Sequence, residues 1–322
     1  MQNKLRIVFM GTPDFAVGSL KALADIGQNI AGIVTAPDKP AGRGQKIMSP
    51  PVKVFAENSN IPNILQPTNL KSPEFIEELK ALQADIYIVV AFRMLPEMVW
   101  SIPHKGTVNL HASMLPDYRG AAPINWAIIN GEIVTGVTTF FIEKEIDTGK
   151  IIFTEKVSIG PEMTAGELHD KLMVKGAELL VKTVDSISRN EYPSIAQQDI
   201  LSKKDLHVAP KISKEDCRID WNKDGKSIFN LIRGMSPYPT AWTEIKRNED
   251  LVGLKIFEAG FEKQSHSINV GEIITDHKKS LKISINDGFI IIKEIQQSGK
   301  KRMNIEEFLK GFQGIENYKL LF

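Results

Sequence analysis

The sequence predicts an α/β protein: a doubly wound sheet covered by helices, followed by a small β-barrel. Three observations carry that expectation. Strand-like and helix-like patterns alternate from the amino terminus to about residue 186. Residues 85–91 (DIYIVVA) are almost continuously apolar, as a central parallel strand buried on both faces should be. Between Asn190 and Lys211 the alternation stops, and short strands separated by turn residues follow.

Residues 5–10 form a buried strand that ends at Gly11-Thr12-Pro13. Residues 13–26 are helical, with Phe15, Val17, Leu20, Leu23 and Ala24 near helical spacing and Pro13 where a first turn tolerates it. A strand over 30–34 follows, then helices over 53–58 and 72–83, the second opening Ser-Pro-Glu. After the apolar strand come a strand over 106–110, a helix over 121–130, strands over 134–142 and 150–157, and a long helix over 165–186. Pro193, Gln197, Gln198, Ser202, Lys203, Lys204 and Pro210 make the next stretch a polar connector. Beyond it lie a helix over 226–234, strands over 241–245, 254–259, 271–275, 280–285 and 288–295, and a final helix over 305–311. The organisation is residues 1–189, a linker at 190–211, and residues 212–322.

Composition narrows the function classes. At 322 residues two domains are expected, and 42% hydrophobic with 25% charged residues is ordinary for a globular protein. The single cysteine, Cys217, excludes an intrachain disulfide and any multi-cysteine metal site. No His/Glu cluster has metal-ligand spacing, so no metal is expected. The first apolar run is too short for a secretory signal and no window suits a membrane span, so a cytoplasmic protein without a membrane partner is expected. The net charge of +1 gives no warrant for nucleic acid, but residues 201–322 carry 21 Lys and Arg against 17 Asp and Glu. That mildly basic half permits a polyanion partner.

The chemistry concentrates at residues 106–120. Here a strand ends in Asn109 and His111 and breaks into the loop Ala112-Ser113-Met114-Leu115-Pro116. Residues i and i+2 of a strand share a face, so carboxamide and imidazole stand side by side. Ligands of open α/β sheets bind outside the carboxyl ends of the strands. An imidazole exchanges protons near neutral pH, and a carboxamide donates hydrogen bonds without charge. Together they make an oxyanion-stabilising pair suited to acyl transfer. His111 taken alone also reads as a satisfied polar strand end. Asp147, in Ile146-Asp147-Thr148-Gly149, reads either as an ordinary Asp turn or as a carboxylate brought over the strand ends to face His111.

Two more segments draw interest. Residues 36–51 join a strand to a helix with 16 residues, where about 2–6 is usual. Lys39, Arg43 and Lys46 lie there among prolines and glycines, so the segment is either a mobile arm that grips phosphates or a solvated connector. Phe92 and Leu95, just after the apolar strand, line a ligand slot or pack in the core. Gly11-Thr12-Pro13 has one glycine where a dinucleotide fingerprint needs three, which excludes nicotinamide cofactors.

The chain resembles the folate-dependent formyltransferases. The resemblance is carried by residues 6–15 (RIVFMGTPDF), 37–44 (PDKPAGRG), 109–116 (NLHASMLP), 119–124 (RGAAPI), 147–149 (DTG) and 212–221 (ISKEDCRIDW). The Asn-x-His pair and distant Asp belong to the whole family and fix the reaction class. The PAGRG loop and the 212–221 segment point to the branch acting on charged tRNA. The resemblance implies a Rossmann-like formyltransferase domain and an oligonucleotide-binding-type (OB-like) barrel. It implies transfer of a formyl group from 10-formyltetrahydrofolate to the α-amine of methionine on initiator methionyl-tRNA; a monomer is expected. It further implies catalytic roles for Asn109, His111 and Asp147, and folate binding by Ser113, Met114, Leu115 and Pro116, with Phe92 and Leu95 beside them. Lys39, Arg43 and Lys46 are then the tRNA-binding residues. Phe92-Arg93 and Asp117 depart from the family pattern, and both bear on the folate pocket.

Overall fold

In a computed structural model, residues 4–41, 46–200 and 206–322 are described. The chain forms two compact units. The first comprises the segments through Gly120, Val134–Ser158 and His169–Val208; the second comprises Ala121–Ile133, Ile159–Leu168 and Ala209–Phe322. Along the first stretch run β1 (Arg6–Gly11), α1 (Asp14–Asp25), β2 (Asn29–Val34), β3 (Lys39–Ala41), β4 (Lys46–Met48), α2 (Pro51–Asn58) and β5 (Ile64–Leu65). Then follow α3 (Pro73–Ala81), β6 (Ile86–Val90), α4 (Glu97–Trp100), β7 (Thr107–His111) and β8 (Arg119–Gly120). Next are α5 (Pro123–Ile129), β9 (Val134–Phe141), β10 (Ile151–Ser158), α6 (Ala165–Ser188), α7 (Gln197–Ile200) and β11 (Val208–Ala209).

The large sheet has the order β10-β9-β7-β6-β1-β2-β5. All five residues of β6 are buried, and it lies between two parallel neighbours, β1 and β7. Its apolar run is therefore what two covered faces require. The sheet is mixed rather than wholly parallel, because β9 runs antiparallel to β7 and β10 antiparallel to β9. The connection from Phe141 to Ile151 accounts for the β9–β10 pair: it is shorter than the dozen or more residues a parallel crossover needs. Helix starts follow from local chemistry. Ser72 Oγ accepts from Phe75 N at 3.3 Å to cap α3, which buries Phe75, Ile76 and Leu79.

The segment 36–51 differs from the structureless arm the sequence suggests. Within it Lys39–Ala41 and Lys46–Met48 form an antiparallel ribbon in which Lys39 pairs with Met48 and Pro40 with Ile47. Its root is pinned by Asp38, which accepts from Lys53 Nζ at 2.7 Å and from Gln66 Nε2 at 2.8 Å. These hydrogen bonds hold the Asp38 carboxyl below its usual range. Ile47 is 75% exposed.

In the second unit, α8 (Gly225–Met235) is capped by Asp224, which accepts from Ser227 N at 2.9 Å, and packs with a sheet. The strands are β12 (Ala241–Arg247), β13 (Asp250–Lys263), β14 (Ile273–Thr275), β15 (Leu281–Ile285), β16 (Gly288–Gln297), β17 (Met303–Asn304) and β18 (Lys319–Leu321), with α9 (Ile305–Gly311) before the last. Their order is β14-β15-β16-β13-β12-β18, with β17 on β16, an antiparallel half-barrel. Bulges near Glu258 bend the long β13. Trp221 is fully buried in this core and donates to Thr243 Oγ1 at 3.0 Å. Cys217 is buried there too, and burial raises its thiol pKa, the condition of an unreactive thiol. Arg233 is buried in the same unit, where Nε donates to Asn230 Oδ1 and NH1 to the Met163 carbonyl, both at 2.9 Å.

No helix among the described residues is long and apolar enough to cross a membrane.

Candidate active site

Strand β7 carries the two side chains that the sequence places together. Asn109 pairs in register with Val89 of β6 and Phe140 of β9, and His111 with Thr138 of β9. Val108 and Leu110 turn to the opposite face and are buried. Asn109 is half-buried and His111 is 6% exposed.

The surroundings of His111 assign its protons. Nε2 lies 2.9 Å from the carbonyl oxygen of Tyr118. A carbonyl only accepts, so Nε2 carries a hydrogen and donates. Nδ1 is then the nitrogen left to take a proton, and it faces Asp147 Oδ2 at 3.8 Å. That distance exceeds a hydrogen bond and fits an ion pair once Nδ1 is protonated. Tyr118 holds its carbonyl in place from a left-handed backbone conformation, φ 58°.

Asp147 reaches this position from the loop between β9 and β10. Its side chain is 14% exposed and its φ is 55°, again left-handed. Oδ2 also accepts from Gly120 N at 2.9 Å. Two residues on, a side chain at Gly149 would place its Cβ 1.7 Å from the Phe141 carbonyl oxygen, so only glycine closes the loop onto β9. The loop's own carbonyls are tied by Gln197, whose Nε2 donates to the oxygens of Asp147 and Gly149 at 2.8 Å each. Arg119 in turn donates to Gln197 Oε1 from Nε at 3.0 Å and NH2 at 2.6 Å.

The loop after β7 is stapled to the sheet. Thr138 Oγ1 donates to the Ser113 carbonyl at 2.7 Å and accepts from Leu115 N at 3.2 Å. Ser113 Oγ donates to the Asp117 carbonyl at 2.6 Å. Ser113, Leu115 and Pro116 are buried, and Met114 is half-buried, so Met114 is the most open side chain of the four. Leu115 packs with Phe140 and Ile151. Leu95 is buried in the core around β6, and Phe92 packs against that core. The Arg93 guanidinium lies 5.5 Å from the Phe92 ring and donates to the carbonyls of Pro67 and Thr68.

Of the basic residues, Lys39 is exposed on the ribbon. Arg43 lies outside the described residues, as does the side chain of Lys46. Asp117 pairs with His207, accepting from its backbone N at 2.7 Å, and the His207 ring stacks on Tyr118. Sequence reading pairs Asn109 with His111 and names Asp147 through the family resemblance; the structure sets Asp147 against His111, and the sequence reading misses the Tyr118 carbonyl, Thr138 and Gln197. Backbone groups and a glutamine in a polar connector leave no periodic trace.

The formyl transferase family matches residues 5–184, and its C-terminal domain matches residues 211–313. Methionyl-tRNA formyltransferase of Bacteroides thetaiotaomicron is 50% identical over 320 residues, 99% of each chain. That of Flavobacterium johnsoniae is 51% identical over 309 residues, 96% of each chain. The chain belongs to the formyl transferase family. Among solved structures, HypX from Aquifex aeolicus in complex with tetrahydrofolic acid matches with a TM-score of 0.64 at 18% identity, over 97% of this chain and 48% of that one. An N-formyltransferase from Helicobacter canadensis, in complex with folinic acid and dTDP-3-aminofucose, matches with a TM-score of 0.63 at 20% identity, over 93% and 100%. At those identities the likeness is one of fold. The family's two parts together account for most of this chain, including the strand-end pair and the Asp147 loop.

Proposed function

We propose that the protein transfers a formyl group from 10-formyltetrahydrofolate to the α-amine of methionine esterified to initiator tRNA, as part of translation initiation in the cytoplasm. The observation that carries the reading is the His111 ring. Its Nε2–H is occupied by the Tyr118 carbonyl while Nδ1 faces the Asp147 carboxylate. Near-half identity to methionyl-tRNA formyltransferases along the whole chain supports the acceptor.

The α-amine attacks the formyl carbon and forms a C–N bond. The carboxamide of Asn109 donates to the oxyanion that develops. His111 Nδ1 takes the proton that the attacking amine must lose, and the Asp147 carboxylate stabilises the imidazolium that results. Collapse of the tetrahedral centre breaks the bond to folate N10, which receives the proton back, so proton and electron pair are both accounted for. The segment Ser113–Pro116, with Phe92 and Leu95, is assigned to the folate, at the carboxyl ends of β6 and β7 where such sheets bind ligands. Residues 1–189 form the catalytic part, 190–211 the linker and 212–322 the tRNA-binding part of a monomer. Lys39, Arg43 and Lys46 engage the acceptor-end phosphates.

The decisive experiment is formylation of charged initiator tRNA by 10-formyltetrahydrofolate, beside a charged elongator tRNA and an amino-sugar nucleotide. Formyl-methionyl-tRNA should form on the initiator alone. Preference for the amino sugar would overturn the acceptor while leaving the chemistry standing. Replacing Arg43 by alanine should weaken tRNA use and reduce the salt dependence of binding. Unchanged affinity across several salt concentrations would return the ribbon to the status of a connector.

A further inference from the structure

Gln197 lies outside both stretches that match the family, between residues 184 and 211. It is polar, yet only 3% exposed. A buried carboxamide is costly unless each polar atom is paired. Here both ends are occupied: Nε2 donates to the Asp147 and Gly149 carbonyls, and Oε1 accepts twice from Arg119. Both N–H donors of that amide are therefore spent on one loop, and its oxygen on Arg119 of β8. The loop needs it. Asp147 sits at a left-handed φ that an Asp adopts at a cost, and such a conformation persists only when its surroundings over-determine it. The Asp147 carboxylate is not used to close its own turn; Oδ2 faces Gly120 N and His111 Nδ1.

We propose that Gln197 is the positioning residue of the Asp147 carboxylate. By donating to the carbonyls of Asp147 and Gly149 it fixes the backbone that carries the carboxylate and so aims it at the imidazole. Arg119 completes the device by holding the other end of the amide. Because β8 carries both Arg119 and Gly120, the same two residues anchor the amide and the carboxylate. The proposal depends on Asp147 acting in proton handling, and the test separates the two ideas.

Four variants are compared in formylation of charged initiator tRNA: Asp147→Asn, Gln197→Ala, Gln197→Glu, and Asp147→Asn combined with Gln197→Ala. Gln197→Ala should lower kcat by about 10- to 100-fold, the range found for residues that orient a reacting group, with KM for the folate unchanged. Gln197→Glu keeps the volume and the acceptor for Arg119 but turns a carboxylate oxygen toward two carbonyls. It should lose kcat to a similar degree while melting as a folded protein, which covers the case where alanine unfolds the connector. In the Asp147→Asn background, Gln197→Ala should cost nothing more, since residues that act through one another are non-additive. An equal further loss in that background would overturn the proposal, as would wild-type kcat in folded Gln197→Glu. Wild-type kcat in Asp147→Asn would instead sink the reading of Asp147 itself, and the positioning role with it.

Discussion

Two turn aspartates, one in each unit, show how a fold decides whether a carboxylate is structural or free to react. Asp276 closes the turn between β14 and β15, and its Oδ1 accepts from the backbone N–H groups of Lys278, Lys279 and Ser280 at 2.9, 2.8 and 2.8 Å. Those three donors stabilise the anion and push its pKa down to about 2. Among the described residues Asp147 accepts from one backbone N–H, that of Gly120. The carbonyls of its loop are satisfied by a distant glutamine, and its carboxylate faces an imidazole at 3.8 Å. Both residues sit in turns beside a threonine, Thr148 and Thr275. What separates them is where the carboxylate is spent: that of Asp276 on the N–H groups of its own turn, that of Asp147 on an imidazole and one N–H of another strand.

The sharpest way to break the contrast is to neutralise Asp147. Asp147→Asn should reduce kcat by about 10²–10⁴, the usual worth of a proton-handling group, whereas Asp276→Asn should leave kcat untouched. Equal effects in steady-state formylation would erase the distinction. Next in size is the neighbour of the imidazole on β7. Asn109→Ala should cost about 10²–10³ in kcat, with the melting temperature little changed because Asn109 is only half-buried. Near-wild-type turnover would remove the carboxamide from the oxyanion site.

Gly149 tests whether loop geometry alone, without any change of charge, matters to Asp147. A methyl group there meets the Phe141 carbonyl at 1.7 Å, and backbone cannot yield as a flexible side chain does. Gly149→Ala should destabilise the fold by about 1–3 kcal/mol, the cost of overpacking, and lower kcat in the fraction that remains folded. A variant with unchanged melting and kcat would show that the loop tolerates displacement.

How much of this was legible follows from the same contrast. Asn109 and His111 stand on a regular strand, where a period of two states which side chains share a face, so their pairing could be read directly. The carboxylate that meets them comes from 36 positions on from His111, and spacing alone left Asp147 as a turn until the family resemblance singled it out. Gln197 was visible only as one polar residue among many in a connector. The ribbon β3–β4 was missed because each strand has three residues and Pro40 interrupts the first. The mixed character of the large sheet was in principle readable from the short connection between β9 and β10. In the half-barrel, β12 and β13 extend further toward each other than their apolar residues suggest. Asn248, at φ 53°, makes the tight turn that lets polar Lys246, Arg247 and Asp250 pair across the ladder. Backbone pairing continues there after the hydrophobic signal has ended.

The smallest predicted effect concerns Asp276 and is read by pH. Its folded-state pKa of about 2 lies below the value near 3.9 expected for an unfolded chain. The unfolded state therefore binds the proton more readily, and the stabilisation by this turn is fully present above the unfolded value and lost as pH falls through about 2. Carboxyl resonances followed by NMR should show Asp276 titrating near that low value, and Asp276→Ala should remove the corresponding acid-side step from the stability profile. The residue is solvent-exposed, so the step is small. A midpoint near 3.9 would mean that the three backbone donors do not hold the anion in solution. The turn would then be closed by its backbone alone, and the contrast with Asp147 would have to rest on the imidazole and not on the spent hydrogen bonds.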